Sequence, residues 1–222
     1  MEKELTYIYN YTKPFMNTLP FSTHELTEAD VESILGVYNK LKVSFSAEFD
    51  FYFDPNFKEF WLFSHCESYH IGPVIRLQNN ATNFYLTFTQ VAYKASYANK
   101  SACPPIKEYQ TWGVALLKNN FGHILIKAET LLDKIHDLIN PVELDFEDDK
   151  EFSKKFYVAT NDKLKASLQM SQSFRNLIKN IQSKNFVIEI INNTLIIGNK
   201  KVVEIETSLD FVEFLDKVSR SF

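Results

Sequence analysis

Two cysteines, five glycines and no long apolar run mark this 222-residue sequence by what it has little of. Cys66 and Cys103 are too few for a disulfide framework. With so few glycines, few loops can cradle a phosphate, and no Walker loop, dinucleotide fingerprint, G-x-S-x-G or H-E-x-x-H motif is present. No uncharged stretch approaches the ~20 apolar residues that span a bilayer. The opening MEKELTYIYN lacks the basic and apolar regions of a secretory signal. Basic charge is short as well: 24 Lys and Arg face 28 Asp and Glu, a net charge of −4. Lys154-Lys155 and Lys200-Lys201 read as solvated faces, not as a phosphate track. The expectation is a cytoplasmic protein with no nucleic-acid partner, no membrane insertion and no cofactor. Four N-x-S/T matches (Asn10, Asn80, Asn99, Asn192) are then chance.

What the sequence does have is aromatic: 20 Phe and 11 Tyr, residues that favour pleated, half-buried surfaces. Residues 1–23 show no sustained period and read as an arm docking its aromatics on the body. Thr27 is a candidate helix cap with Glu28 and Asp30 in the first turn, and Val31, Ile34, Leu35, Tyr38 and Leu41 follow helical spacing. Strict alternation from Val43 to Phe53 then predicts a half-buried strand, ended by Asp54-Pro55-Asn56. Phe60-Trp61-Leu62-Phe63 reads as a second, more buried strand pairing with it.

Asn79-Asn80, Asn119-Asn120 and Asn192-Asn193 each separate two β-rich runs, and Asn tolerates positive φ, so three hairpins are predicted. Their flanks are 73–78 with 84–89, 111–118 with 122–128, and 186–191 with 194–198. A helix is expected over 129–139, ended by Asn140-Pro141. Phe156-Tyr157-Val158 reads as a short strand. A helix follows from Ser171 or Ser173 to about Ser183, and the last helix begins after Ser208. Strands and helices mix without βαβ alternation, so the expected fold is α+β: one domain over 1–222, a mainly antiparallel sheet with about four helices. A compact subdivision, if present, falls at Tyr97–Glu108, around Pro104-Pro105.

The run from Trp112-Gly113 through Phe121-Gly122-His123-Ile124-Leu125-Ile126 and Leu131-Leu132 leads into an acidic connection. Glu151-Phe152, Lys155-Phe156, Val158, Asp162, Ala166, Leu168 and the 174–178 helix follow. This order resembles the C-terminal half of the bacterial family termed domain of unknown function 3137 (DUF3137). The resemblance covers the last half of the chain and implies the same fold reading. Members often carry membrane-spanning segments ahead of the domain, which are not expected here. The family offers no catalytic residues to carry over.

Four groups of side chains merit weighing as sites. His65-Cys66 with His70 supplies three zinc-type ligands, and Cys103 could be a fourth, but the spacing matches no known zinc site and an ordinary strand end accounts for it. Cys66 as a nucleophile needs a base. Adjacent His65 points to the opposite strand face, so only His70, His123 or His136 could serve. The acidic run Glu143, Asp145, Glu147, Asp148, Asp149 and Glu151 lacks calcium-loop spacing and reads as a solvated turn, or as a contact for a basic partner. The aromatic excess could line a ligand cavity, although packing explains it as core.

The resulting expectation is a non-catalytic binding or protein-interaction module, with a protein or small molecule as partner and a homodimer compatible with exposed strand edges. Two rivals remain. One is an enzyme that brings His70, His123 or His136 to a carboxylate or Cys66 in a cleft; the other is an acidic inhibitor-like protein covering a basic surface through Glu143–Glu151.

Overall fold

The computed structural model describes residues 19, 21–64, 66–79, 82–93, 107–128 and 142–222. Among them run helix α1 (Glu28–Leu41), strand β1 (Ser46–Phe49), a 3-10 turn (Phe57–Glu59), α2 (Trp61–Ser64), β2 (Cys66–Asn79), β3 (Thr82–Tyr93), β4 (Lys107–Leu116) and β5 (His123–Ala128). The rest are β6 (Val142–Glu143), α3 (Lys150–Lys155), β7 (Phe156–Thr160), α4 (Lys163–Gln169), α5 (Gln172–Lys179), β8 (Val187–Ile191), β9 (Thr194–Val202) and α6 (Ile205–Ser221). The strands form one nine-stranded sheet in the order β1-β2-β3-β4-β9-β8-β5-β7-β6. Every neighbouring pair is antiparallel. The α+β expectation with a mainly antiparallel sheet is met. Of the 1–23 arm, residues 1–18 and 20 lie outside the described residues, as do the 129–139 helix and Tyr97–Glu108 apart from Lys107-Glu108, which open β4.

Period-two alternation gives the sheet two apolar faces. On one, Phe84, Leu86, Phe88, Ile124, Ile126, Ile188, Ile190, Leu195 and Ile197 share a core with Ile34 and Val37 of α1, Phe174 and Ile178 of α5, and Phe211 and Leu215 of α6. On the other, Trp112, Val114, Val187 and Ile196 are covered by Phe57, Phe60 and Phe63. Residues 50–64 therefore act as a strap across the second face. Phe53 stacks on Tyr85 of β3 at 3.6 Å, and Phe63 meets Trp112 of β4 at 4.8 Å.

Several elements differ from the sequence reading, each for a physical reason. The 43–53 strand shortens to Ser46–Phe49, because α1 unwinds through Val43 and Phe45, whose N–H groups donate to Lys40 and Leu41 carbonyls. Asp50 ends it by accepting the N–H groups of Tyr52 at 2.9 Å and Phe53 at 3.1 Å, a side-chain turn. Phe60–Phe63 is not a strand: Phe60 leads into helix α2, which holds Trp61 to Phe63 and whose first N–H groups find a distant carboxylate described below.

The flanks of the first and third predicted hairpins pair as expected, β2 with β3 and β8 with β9, the latter turning at Asn192 with φ +56°. The one at 119–120 does not: β4 pairs β3 and β9, and β5 pairs β7 and β8. The chain between them bridges the tip of the β8–β9 hairpin instead. Leu117 N–H donates to the Asn193 carbonyl and Phe121 N–H to the Asn192 carbonyl, both at 2.7 Å. Gly122, at φ +77°, turns the chain back into β5. Helix α6 starts one turn before Ser208, and Ser208 lies buried, its hydroxyl donating to the Glu204 carbonyl and 3.0 Å from that of Thr111. Thr27 caps α1 with a reciprocal Asp30 contact, and Ser171 caps α5.

Candidate functional site

Strand β8 reads Val-Ile-Glu-Ile-Ile, and its central Glu189 points to the strap face with no solvent exposure. A buried carboxylate needs donors, and three are supplied. Trp61 N–H donates to Oε1 at 2.7 Å and Leu62 N–H to Oε2 at 2.9 Å, which caps the N-terminus of α2. His123, the first residue of β5, donates its Nε2–H to Oε1 at 2.6 Å. The Trp61 indole stacks on the imidazole at 3.3 Å between centroids. No buried side-chain nitrogen or oxygen among the described residues lacks a partner.

The enzyme reading asks for a histidine meeting a carboxylate in a cleft. His123 meets one, but its side chain is only 14% exposed and lies under an indole. Glu189, satisfied by two peptide N–H groups, is arranged to hold the strap.

Cys66 and His70 lie on β2, while His65, Cys103 and His136 fall outside the described residues. A register shift between Cys66 and Ser68 sets Cys66 beside Tyr69 and Ile71 against the strap. Alternation then turns His70 toward the other side of the strand. Burial, opposed weakly by Lys200, pushes the Cys66 thiol up to about 11, so it stays protonated at neutral pH. Its sulfur reaches the Leu62 carbonyl at 3.9 Å. Among the described residues no three His, Cys, Asp or Glu side chains converge as a metal site.

The acidic run is partly internal. Asp149, with only 6% of its side chain exposed, caps α3 through Phe152 N–H and meets Arg175 at 3.2 Å and Lys179 at 3.1 Å. Asp148 takes the other arm of Arg175 at 2.6 Å, and Glu151 pairs with Lys155. Glu143, Asp145 and Glu147 remain exposed. Burial acts to raise the Asp149 pKa, but the Lys179, Phe152 and Arg175 hydrogen bonds and the Lys179 charge outweigh it and hold the group below its usual range. A lowered carboxylate contributes stability above its unfolded pKa and loses it as pH falls through the folded one. Asp149→Asn is therefore expected to be destabilised most near neutral pH. Its gap to the parent should close as pH drops below ~4, checked by urea unfolding across pH. A pH-independent gap counts against this account.

The remaining feature is a cleft of about 540 Å³ at the sheet edge. Its apolar wall includes Phe21, Phe49, Phe51, Phe53 and Tyr109, and its polar groups include Ser22, His24, Asp50 and His70. The β2 bulge between Ile71 and Val74 forms its floor. Phe51 stands 70% exposed and neighbouring Tyr52 97%. A second cleft, about 720 Å³, continues along the same strand past His70 and Ile71 to Cys66, bounded by Asp54, Lys58 and Glu67. Of these residues the sequence singles out His70, Cys66 and the 49–53 aromatics, the last as core. Glu189 carried a readable signal, one charge inside an apolar strand; His24, Trp61 and Tyr109 carried none.

No family model matches the chain, and no curated protein does. Among solved structures, the crystal structure of the mycobacterial trehalose monomycolate transport factor A aligns at a TM-score of 0.48 and 10% sequence identity. The alignment covers 82% of this chain and 94% of that one.

Proposed function

We propose that this chain is a non-catalytic binding module whose ligand site is the aromatic cleft between residues 21–26, 49–53 and 70–74. One observation carries the reading: a preformed concavity of about 540 Å³, walled by aromatic rings and provided with a few polar groups, the ordinary constitution of a binding pocket. Its aromatic side chains offer area to a ligand at low entropic cost, and His24, His70 and Asp50 supply orientation. Among the described residues, the His123–Glu189 pair sits under Trp61 and anchors the strap. No helix among the described residues is long and apolar enough to cross a membrane. The module is assigned to the cytoplasm, which the scarcity of cysteine and the free Cys66 suit.

The test is an NMR screen with a library of aromatic fragments, read at the imidazole resonances of His24, His70 and His123. Hits are expected to move His24 and His70 together and leave His123 in place. Phe51→Ala should weaken them about tenfold, ~1.4 kcal/mol, with unchanged melting. Hits that move only His123 would transfer the site to the buried pair and favour the enzyme reading. A screen with no hits removes the cleft as a ligand site.

A further inference from the structure

Strand β2 is much longer than the strand beside it. β1 covers only its end, pairing Phe49 with Ile75 through Ser46 with Gln78, and the Asp50 N–H adds one bond to the Val74 carbonyl. From there the strap leaves the edge. Among the described residues no strand lies outside β2 from Cys66 to Val74, about 30 Å of backbone at ~3.4 Å per residue. An open edge of this length is a template for another strand, which folded proteins usually blunt. Here Pro73 removes one donor at the end nearest β1, and Cys66–Gly72 keep theirs.

Both clefts open along this same stretch and meet at His70 and Ile71, one on the helix side and one on the strap side. A small ligand would use one of them. An extended peptide uses both, because its side chains alternate to the two faces while its backbone bonds to the strand. The charged lining of the two clefts is Asp50, Asp54 and Glu67 against Lys58, an acidic balance that fits basic side chains between apolar ones.

We infer that the β2 edge from Cys66 to Gly72 captures an extended segment of a partner protein as an added strand, with aromatic or aliphatic residues in the aromatic cleft and basic residues over Asp54 and Glu67. The inference rests on the aromatic cleft as the binding site and names its occupant.

The probe is a library of eight-residue peptides with aromatic or aliphatic residues at alternate positions. The intervening positions carry Lys or Arg in one half and Asp or Glu in the other. A third set repeats the basic half with alternate backbone amides N-methylated, which removes strand hydrogen bonds and keeps the side chains. Peptides retained by the intact chain are read by mass spectrometry, and amide hydrogen exchange is followed along β2. The expected result is at least tenfold enrichment of the basic half over both other sets, slowed exchange within residues 67–72, and loss of the charge preference in Glu67→Lys. Equal retention of the methylated set overturns strand addition, while fragment hits at His24 and His70 would still support the cleft. No retention of any set likewise overturns the inference. So does a doubled mass of the peptide-free chain with β2 protected, since a second copy then holds the edge.

Discussion

Glu189→Ala is expected to lower the unfolding free energy by ~3–5 kcal/mol, because each buried donor left without its acceptor costs about 1–3 kcal/mol. Three donors lose their acceptor at once: the N–H groups of Trp61 and Leu62 and the imidazole of His123. Against a typical total of ~5–15 kcal/mol, that is a large share of the protein's stability. The loss should begin in the strap. Hydrogen exchange across residues 57–64 should accelerate far more than in α6, which packs on the opposite face. His123→Ala leaves the two peptide N–H groups in place and should cost less. The double variant should cost little more than Glu189→Ala alone, because the two residues act as one unit. Urea unfolding of the three variants checks this, and a Glu189→Ala variant within ~0.5 kcal/mol of the parent would defeat the anchoring role.

The second large effect is expected at Gly198. It lies directly across from Trp112 in the β4–β9 pairing, and a Cβ there would come within 2.4 Å of Cε3 and 2.5 Å of Cδ2 of the indole. The ring has no room to retreat. It is 2% exposed, packed against Phe57 and Phe63, and its Nε1–H donates to Gln110 at 3.2 Å. Gly198→Ala should therefore cost at least ~3 kcal/mol, the upper range for overpacking a filled core. Gly113→Ala is the control. Its Cβ would approach Leu215 Cδ1, also at 2.4 Å, but that is the end of a flexible side chain, so the cost should be smaller. Adding Trp112→Leu to Gly198→Ala should recover part of the loss. A double variant that simply sums the two single losses would show that the indole is not the obstacle.

How much of this was legible in the sequence depended on how local the cause was. Thr27 with Asp30, Ser171, and the Asn192-Asn193 turn act within a few residues, and the elements they delimit lie where the pattern put them. The Phe60–Phe63 turn was not legible. Its apolar run suits a strand as well as a helix, and the deciding carboxylate is 128 residues away in the chain. The 43–53 alternation was a true signal cut short, because Asp50 bonds its own backbone where the pattern alone would extend the strand. The aromatic cleft was hidden for a related reason. Phe49, Phe51 and Phe53 share the spacing of a core stripe, but after Asp50 the chain no longer alternates and Phe51 is left open to solvent. The acidic run was visible as charge, and its partners Arg175 and Lys179 were not, since ion pairing between segments leaves no local spacing.

The interposed β8–β9 hairpin also sets a schedule for biosynthesis. Strands β4 and β5 emerge from the ribosome one after the other, but the pair that must sit between them is Val187–Ile191 and Thr194–Val202, some 60 to 80 residues later. Until then the β1–β4 and β5–β7 portions are two incomplete sheets whose facing edges wait for the same insert. Contacts so distant in sequence slow the final step. The waiting edges, carrying Trp112 and Val114 on one side and Ile124 and Ile126 on the other, are where a nascent or heat-stressed chain is most exposed to pairing with the wrong neighbour.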